Sequence, residues 1–269
     1  MRRLVVPFVT LSCLCCATLP RATRTDVLVS GGIARTNWTE NTGACASFPP
    51  ARQLDDQVQV GVAVVHENAN GLELGGAVEG MRETVTASRD HPTPPDGARD
   101  YLLGGGVYVG GKWRHFGFAA GGSGWASSGT PYFSMDFGRM EHVWAHVQIG
   151  RWRPFMDARY ATLGGAFRPF EGGLLEIWAG ATRPALWVYP VANRVPAGGQ
   201  LGDAQLAAGL NMQAQVNDMF AIFLQVAGSQ SPSGHIGISF SPSRLLEPAR
   251  PRQLPDEADE LPQDVTSTR

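Results

Sequence analysis

Residues 204–226 read AQLAAGLNMQAQVNDMFAIFLQV. Up to Val216 a polar or very small residue takes every second position, the order reverses at Asn217-Asp218, and an apolar run follows. Strand side chains alternate between two faces, whereas helical ones recur every 3.6 residues, so the pattern predicts a β-hairpin. Ala204, Leu206, Ala208, Leu210, Met212, Ala214 and Val216 share one face. Gln205, Ala207, Gly209, Asn211, Gln213 and Gln215 share the other.

Composition extends this reading to the whole chain. With 33 Gly, 19 Pro and 17% charged residues in 269, the sequence is rich in residues that break helix interiors and poor in the helix formers Lys and Glu. Large β-barrels and sandwiches often use about 200 to 250 residues as one unit, so length alone leaves one or two domains open. A net charge of -2, spread evenly over the middle of the chain, is too small to imply a nucleic-acid partner held by phosphate contacts, and none is expected.

The start, MRRLVVPFVTLSCLCCATLPRA, has two arginines, a short apolar stretch and small residues near Ala17, the pattern of a secretory leader over 1–17. Ser12-Cys13 places a small residue before a cysteine that a lipoprotein would acylate, but Thr10 stands where Leu is usual. Cys13, Cys15 and Cys16 belong to that leader, so Cys45 is left without a partner and no disulfide framework is expected. Residues 18–56 form an N-terminal segment with room for one strand. The stretch 57–241 is the β-barrel, and 242–269, rich in Pro and acid, is expected to be a disordered tail.

Within 57–241 strand-like runs follow one another. Val58, Val60, Val62 and Val64 alternate with polar or small residues, and Asn70-Gly71 is a hairpin signal. DHPTPPDGARD reads as a solvated loop. Residues 133–149 keep one phase and are either one long strand or two broken near Met140. Phe155 to Leu163 is expected to be a strand with Asp157 and Arg159 on one face, and GGLLEIWAGA is expected to pair with PALWVYPV. If 131–150 is one strand, short and long connections alternate from residue 67 to Asn217-Asp218, as in an up-and-down meander whose two ends meet different surroundings.

The polar faces carry Gln, Asn, Ser, Gly and His with scattered charges, and Lys112 is the lysine of the middle of the chain. Such faces suit a confined lumen, and the apolar faces suit lipid. Strands of about 9 to 11 residues cross a bilayer when the sheet closes. Trp113, Trp144, Trp152, Trp178, Trp187, Tyr132 and Tyr189 near strand ends would fit the membrane interfaces, or ordinary packing. The fold expected is all-β: a closed antiparallel up-and-down transmembrane β-barrel of about 10–12 strands.

A leader, alternating strands, tight turns, longer loops and a closing run ending in GISF together resemble bacterial outer-membrane β-barrel proteins of the small OmpA-like or OmpW-like kind, over about residues 57 to 241. Phe240 matches the aromatic that closes such barrels, whereas Gly234 is one position off and the chain continues past it.

The candidate chemistry is sparse. His142 and His146 in EHVWAH have the spacing of a helical zinc pair, but on a strand they stand roughly 13 Å apart, so no metal is expected. No His-x-Ser occurs, which disfavours a barrel phospholipase; Asp157 with His142 or His146 could form a protease site. LLGGGVYVGG lacks the Lys-Ser/Thr of a phosphate loop and reads as strand glycine in a tight sheet. The expected lumen set is Glu73, Glu79, Glu83, His142, His146, Asp157, Arg159, Glu176, Gln205, Asn211, Gln213 and Gln215, whose charges must pair if buried.

These features point to an exported, non-catalytic barrel of the outer membrane without cofactor, in contact with membrane lipid and small solutes, as a small pore, a passage for small or apolar solutes, or a structural barrel. The competing expectations are a secreted or periplasmic β-sandwich binding carbohydrate and, third, a barrel hydrolase.

Overall fold

The computed structural model describes residues 23–40, 51–89, 99–125, 128–188 and 198–242. The expected leader at 1–17, Cys13 and Cys45, and the tail beyond Pro242 lie outside them. The strands are β1 (Arg24–Glu40), β2 (Ala51–Glu67), β3 (Leu72–Arg89), β4 (Arg99–Lys112), β5 (Phe116–Trp125), β6 (Ser128–Arg139) and β7 (Val143–Gly150). They continue as β8 (Arg159–Phe167), β9 (Gly173–Thr182), β10 (Ala185–Val188), β11 (Gly198–Leu201), β12 (Gln205–Gln215), β13 (Phe220–Gly228) and β14 (Ser233–Phe240).

All but β10 and β11 close into one antiparallel barrel of 12 strands. Each strand pairs with its neighbours in sequence, except that β9 passes over the separate β10–β11 hairpin to pair with β12. β1 closes on β14 from Val27↔Phe240 to Ala34↔Ser233, so the barrel itself has no open strand edge. A two-sheet sandwich with a dry interior is therefore not the fold.

The opening hairpin is β12–β13, with Gln215↔Ala221 nearest the turn. There the Asn217 side chain accepts from the Met219 and Phe220 amides, both at 2.9 Å. Asn68 does the same for Asn70 and Leu72 between β2 and β3, where Gly71 adopts φ 80°. Tight connections at 68–71, 113–115, 140–142, 168–172 and 216–219 lie at one end of the barrel, together with the start of β1 and the end of β14.

Several boundaries differ from expectation. The barrel begins at Arg24 rather than 57, because Gly31-Gly32 dilutes the alternation of Val27, Val29 and Ile33. Residues 133–149 are two strands, turned where the His142 amide donates to the Arg139 carbonyl at 2.8 Å. That turn shifts the expected alternation by one strand, so that 151–158 is a longer connection and 168–172 a tight one, while at the end opposite the tight turns β5–β6 and β13–β14 are also joined by short connections. β9 pairs with β8 and β12, not with residues 185–188, which pair with β11. Residues 155–158 are not strand at all.

The polarity of the wall is inverted relative to a soluble fold. Ile33 (68%), Leu103 (70%) and Leu206 (88%) are exposed, as are Val58 to Val64 at alternate positions, Leu163, Ile177, Ile236 and Ile238. Facing inward and buried are Asp55, Gln57, Gln59, Glu79, Glu83, Ser134, Asp136, Gln148, Thr162, Gln225 and His235. Above the apolar band of β1–β3 stands a polar rim, where Arg35 pairs with Asp56 at 2.7 Å. Exposed Phe137, Phe167, Phe170 and Phe220 lie toward the tight-turn end.

The wall is uneven in height. β1, β2 and β3 run 17, 17 and 18 residues, whereas β7 and β8 run 8 and 9. The β7–β8 connection thus starts below the rim of the opposite wall.

Candidate functional site

Eight strands make a barrel that wall side chains can fill, and width grows with strand number, so twelve leave room for additional chain. Residues 151–158 (RWRPFMDA) use it. Gly150 turns the chain with φ 75°, and Arg151, Pro154, Phe155, Met156 and Asp157 are all buried. The segment crosses the lumen to the far wall. There two backbone amides hold the Glu79 carboxylate: those of Phe155 and Met156 donate to Oε2 at 2.8 and 3.0 Å. The Ser30 hydroxyl donates to the Met156 sulfur, and Arg153 approaches Glu79 Oε1 at 3.8 Å.

The glycine-rich β4 is the seat of this loop. A Cβ at Gly104 would meet Pro154 Cγ at 2.7 Å, and one at Gly106 would overlap the Trp152 carbonyl. LLGGGVYVGG thus clears the lumen face of a strand for a second backbone, a reason more specific than tight sheet packing.

Toward the longer-loop end the interior holds an apolar cluster beside buried Gln57 and Glu83. Phe155 packs with Met81, Leu102, Trp125 and Ala185, and Leu201 of the β10–β11 hairpin joins them. The Trp125 and Phe155 rings lie 5.6 Å apart.

Toward the tight-turn end lies a cavity of about 210 Å³ lined by Glu73, Tyr108, Lys112, Tyr132, Asp136, Trp144, His146, Trp152, Arg159 and Glu176 among others. Its charges are cross-linked. Glu73 meets Lys112 at 3.5 Å and the Tyr108 hydroxyl; Asp136 meets His146 Nδ1 at 2.6 Å; Glu176 binds Arg159 and accepts from Asn211 at 2.7 Å. His146 Nε2 has no hydrogen-bond partner and lies 3.9 Å from Glu176. Asp157 receives Gln148 at 2.7 Å and Arg159 at 3.1 Å.

Of the twelve residues named from sequence, Glu73, Glu79, Glu83, His146, Arg159, Glu176, Asn211 and Gln213 lie on inward-facing strand positions. Glu83 accepts from Gln57 at 2.8 Å. Gln205 also faces inward, at the longer-loop end, and Gln215 is exposed at the opposite mouth beside Gly172. Asp157 is in the lumen on the crossing loop rather than on a strand. His142 is not in the lumen: it is exposed in the β6–β7 turn, where the period-two rule no longer holds. A protease pairing of Asp157 with His142 or His146 is not formed, because His146 is held by Asp136 and Asp157 by Gln148 and Arg159.

The aromatics depart from an interfacial girdle. Trp144, Trp152 and Tyr132 line the cavity and Trp178 is buried, with Tyr108 and Trp152 ring centroids 4.9 Å apart. The side chains of Trp187 and Tyr189 lie outside the description. Sequence reasoning missed Tyr108, Lys112, Arg151 and Arg153 as lumen residues. Parity with Ser134 puts Asp136 on the polar face as a partner for a lumen histidine, and His146 is that histidine.

No family model and no curated protein matches the chain. Among solved structures it is similar to an outer membrane channel of the COG4313 type from Pseudomonas putida F1, at 10% identity and TM-score 0.46, covering 84% of this chain and 97% of that one. It is similar to the KdgM porin at 10% identity and TM-score 0.41, covering 79% and 98%. The outer membrane protease OmpT from Escherichia coli matches at 10% identity and TM-score 0.37, covering 82% and 97%. At these values the likenesses transfer no activity, solute or partner.

Proposed function

We propose that the chain is a non-catalytic outer-membrane β-barrel whose lumen, narrowed by residues 151–158, admits small solutes. One observation carries this reading: the closed wall turns aliphatic side chains outward and buries carboxylates, amides and hydroxyls inside. In water that arrangement is the reverse of a stable one; in hydrocarbon it is the arrangement a barrel requires. The cross-linked charges of the cavity support passage or retention of small polar solutes rather than an apolar channel. The small OmpA-like kind has about eight strands, whereas this barrel has 12.

Two measurements test the reading. A folded membrane barrel resists detergent, so unboiled and boiled samples migrate differently on a gel; a protein that is soluble and monomeric without detergent would sink the membrane assignment. Conductance steps across a planar bilayer then test passage of solutes, and a folded, inserted, silent protein would leave a structural barrel.

A further inference from the structure

Arg151 is 1% exposed and enters the lumen at the start of the crossing loop. Its two terminal nitrogens donate to the carbonyls of Pro154 and Ala158, at 3.2 and 3.3 Å, which are neutral partners. Among the described residues it forms no ion pair. Asp157 is engaged by Gln148 and Arg159, and Glu79 by the Phe155 and Met156 amides, so both act on the guanidinium only at longer range. A buried charge without a close counter-ion costs several kcal/mol even after relaxation. Burial lowers the Arg151 guanidinium to about 10, which leaves it cationic at neutral pH.

The Nε of Arg151 is unpartnered, and it lines a crevice of about 20 Å³ toward the longer-loop end. The hydroxyls of Thr36 on β1, Thr182 on β9 and Ser233 on β14 line the same crevice, and none of the three has a partner. Thr36 is 1% exposed and Thr182 4%. Arg151 is the one charged residue in that lining. Three hydroxyls and a guanidinium N–H are all able to donate, and a cation with unused donors around a small void describes an anion site.

We propose that this crevice binds a small monovalent anion of halide size, held by Arg151 Nε and the hydroxyls of Thr36, Thr182 and Ser233. Space for a single water-sized centre excludes sulfate, phosphate and organic acids. One acceptor, Gln59 Oε1, also lacks a partner there, and a water molecule beside the anion satisfies it. The site rests on the lumen geometry and does not depend on the barrel conducting solutes.

The test uses the full chain refolded in detergent. Its thermal unfolding midpoint is followed as gluconate, too large for the crevice, is replaced by chloride or bromide at fixed ionic strength. A ligand that binds only the folded state raises the midpoint, here by about 2–4 °C at saturating halide. Arg151→Met should abolish the rise, and the hydroxyl-deleting pair Thr36→Val with Thr182→Val, which keeps the cation, should reduce it by half or more. A wild-type midpoint indifferent to halide would mean that water alone occupies the crevice. An equal rise in Arg151→Met would place the halide elsewhere, and an undiminished rise in the Val pair would remove the hydroxyls from the site; if Arg151→Met does not fold, the Val pair decides. Gel migration of the same samples with and without boiling reports the barrel separately, so a failed site and a failed barrel give different results.

Discussion

At the scale of single residues, Glu79 does the most to hold the crossing loop. Its carboxylate receives two buried amides of that loop, and hydrogen bonds to a charged group are each worth about 1.5–3 kcal/mol. Glu79→Ala should therefore unseat residues 151–158: we expect a conductance step at least twofold larger and a barrel destabilised by roughly 3 kcal/mol, read by planar-bilayer recording and by denaturant unfolding. Asp157 acts on the same loop from within. Burial alone would raise its carboxyl, but Arg159, the Gln148 hydrogen bond, Arg153 and Arg151 more than offset this and hold it below its ordinary 3.8. A depressed value in the folded state gives stability that is present above pH 3.8 and lost as pH falls through the lower, folded value. The part of the stability that Asp157 supplies, read as the difference in denaturant unfolding between wild type and Asp157→Asn, should thus stay constant from neutral pH to about pH 4 and shrink only below it; a difference already lost near pH 6 would exclude this role.

At the scale of elements, β4 and the crossing loop form one device. A methyl at Gly106 would overlap the Trp152 carbonyl, and main chain cannot yield as a side-chain tip can. Gly106→Ala should displace the loop and enlarge the conductance step as Glu79→Ala does, whereas Gly76→Ala, facing outward in ordinary van der Waals room, should leave it unchanged. The strands were legible in the sequence because each has one face in each medium, so polarity alternates. The loop was not: Phe155, Met156 and Asp157 are buried alike, so no period records which way each points, and FMDARY imitates a strand. Pro154 after two arginines was the local sign of a break. For Trp144 and Trp178 residue type left the interface and packing readings level, and parity with the polar inward neighbours His146 and Glu176 is what favours packing.

At the scale of the whole molecule, the medium outside the wall decides what a mutation costs. Val60 is exposed in the middle of the apolar band of β2. Val60→Arg should cost about 2–4 kcal/mol of stability in lipid vesicles if that band meets hydrocarbon, and within about 0.5 kcal/mol if it meets water. Unfolding in urea from vesicles measures the difference, and an unchanged midpoint would overturn the membrane reading.

The count of twelve strands carries a consequence of parity. An even number of crossings returns a chain to the side from which it set out, so Arg24 and Phe240 leave the wall into one and the same compartment, the one that holds the tight turns. The first and last strands of the barrel thus share one mouth, and at the other mouth every strand is followed by another.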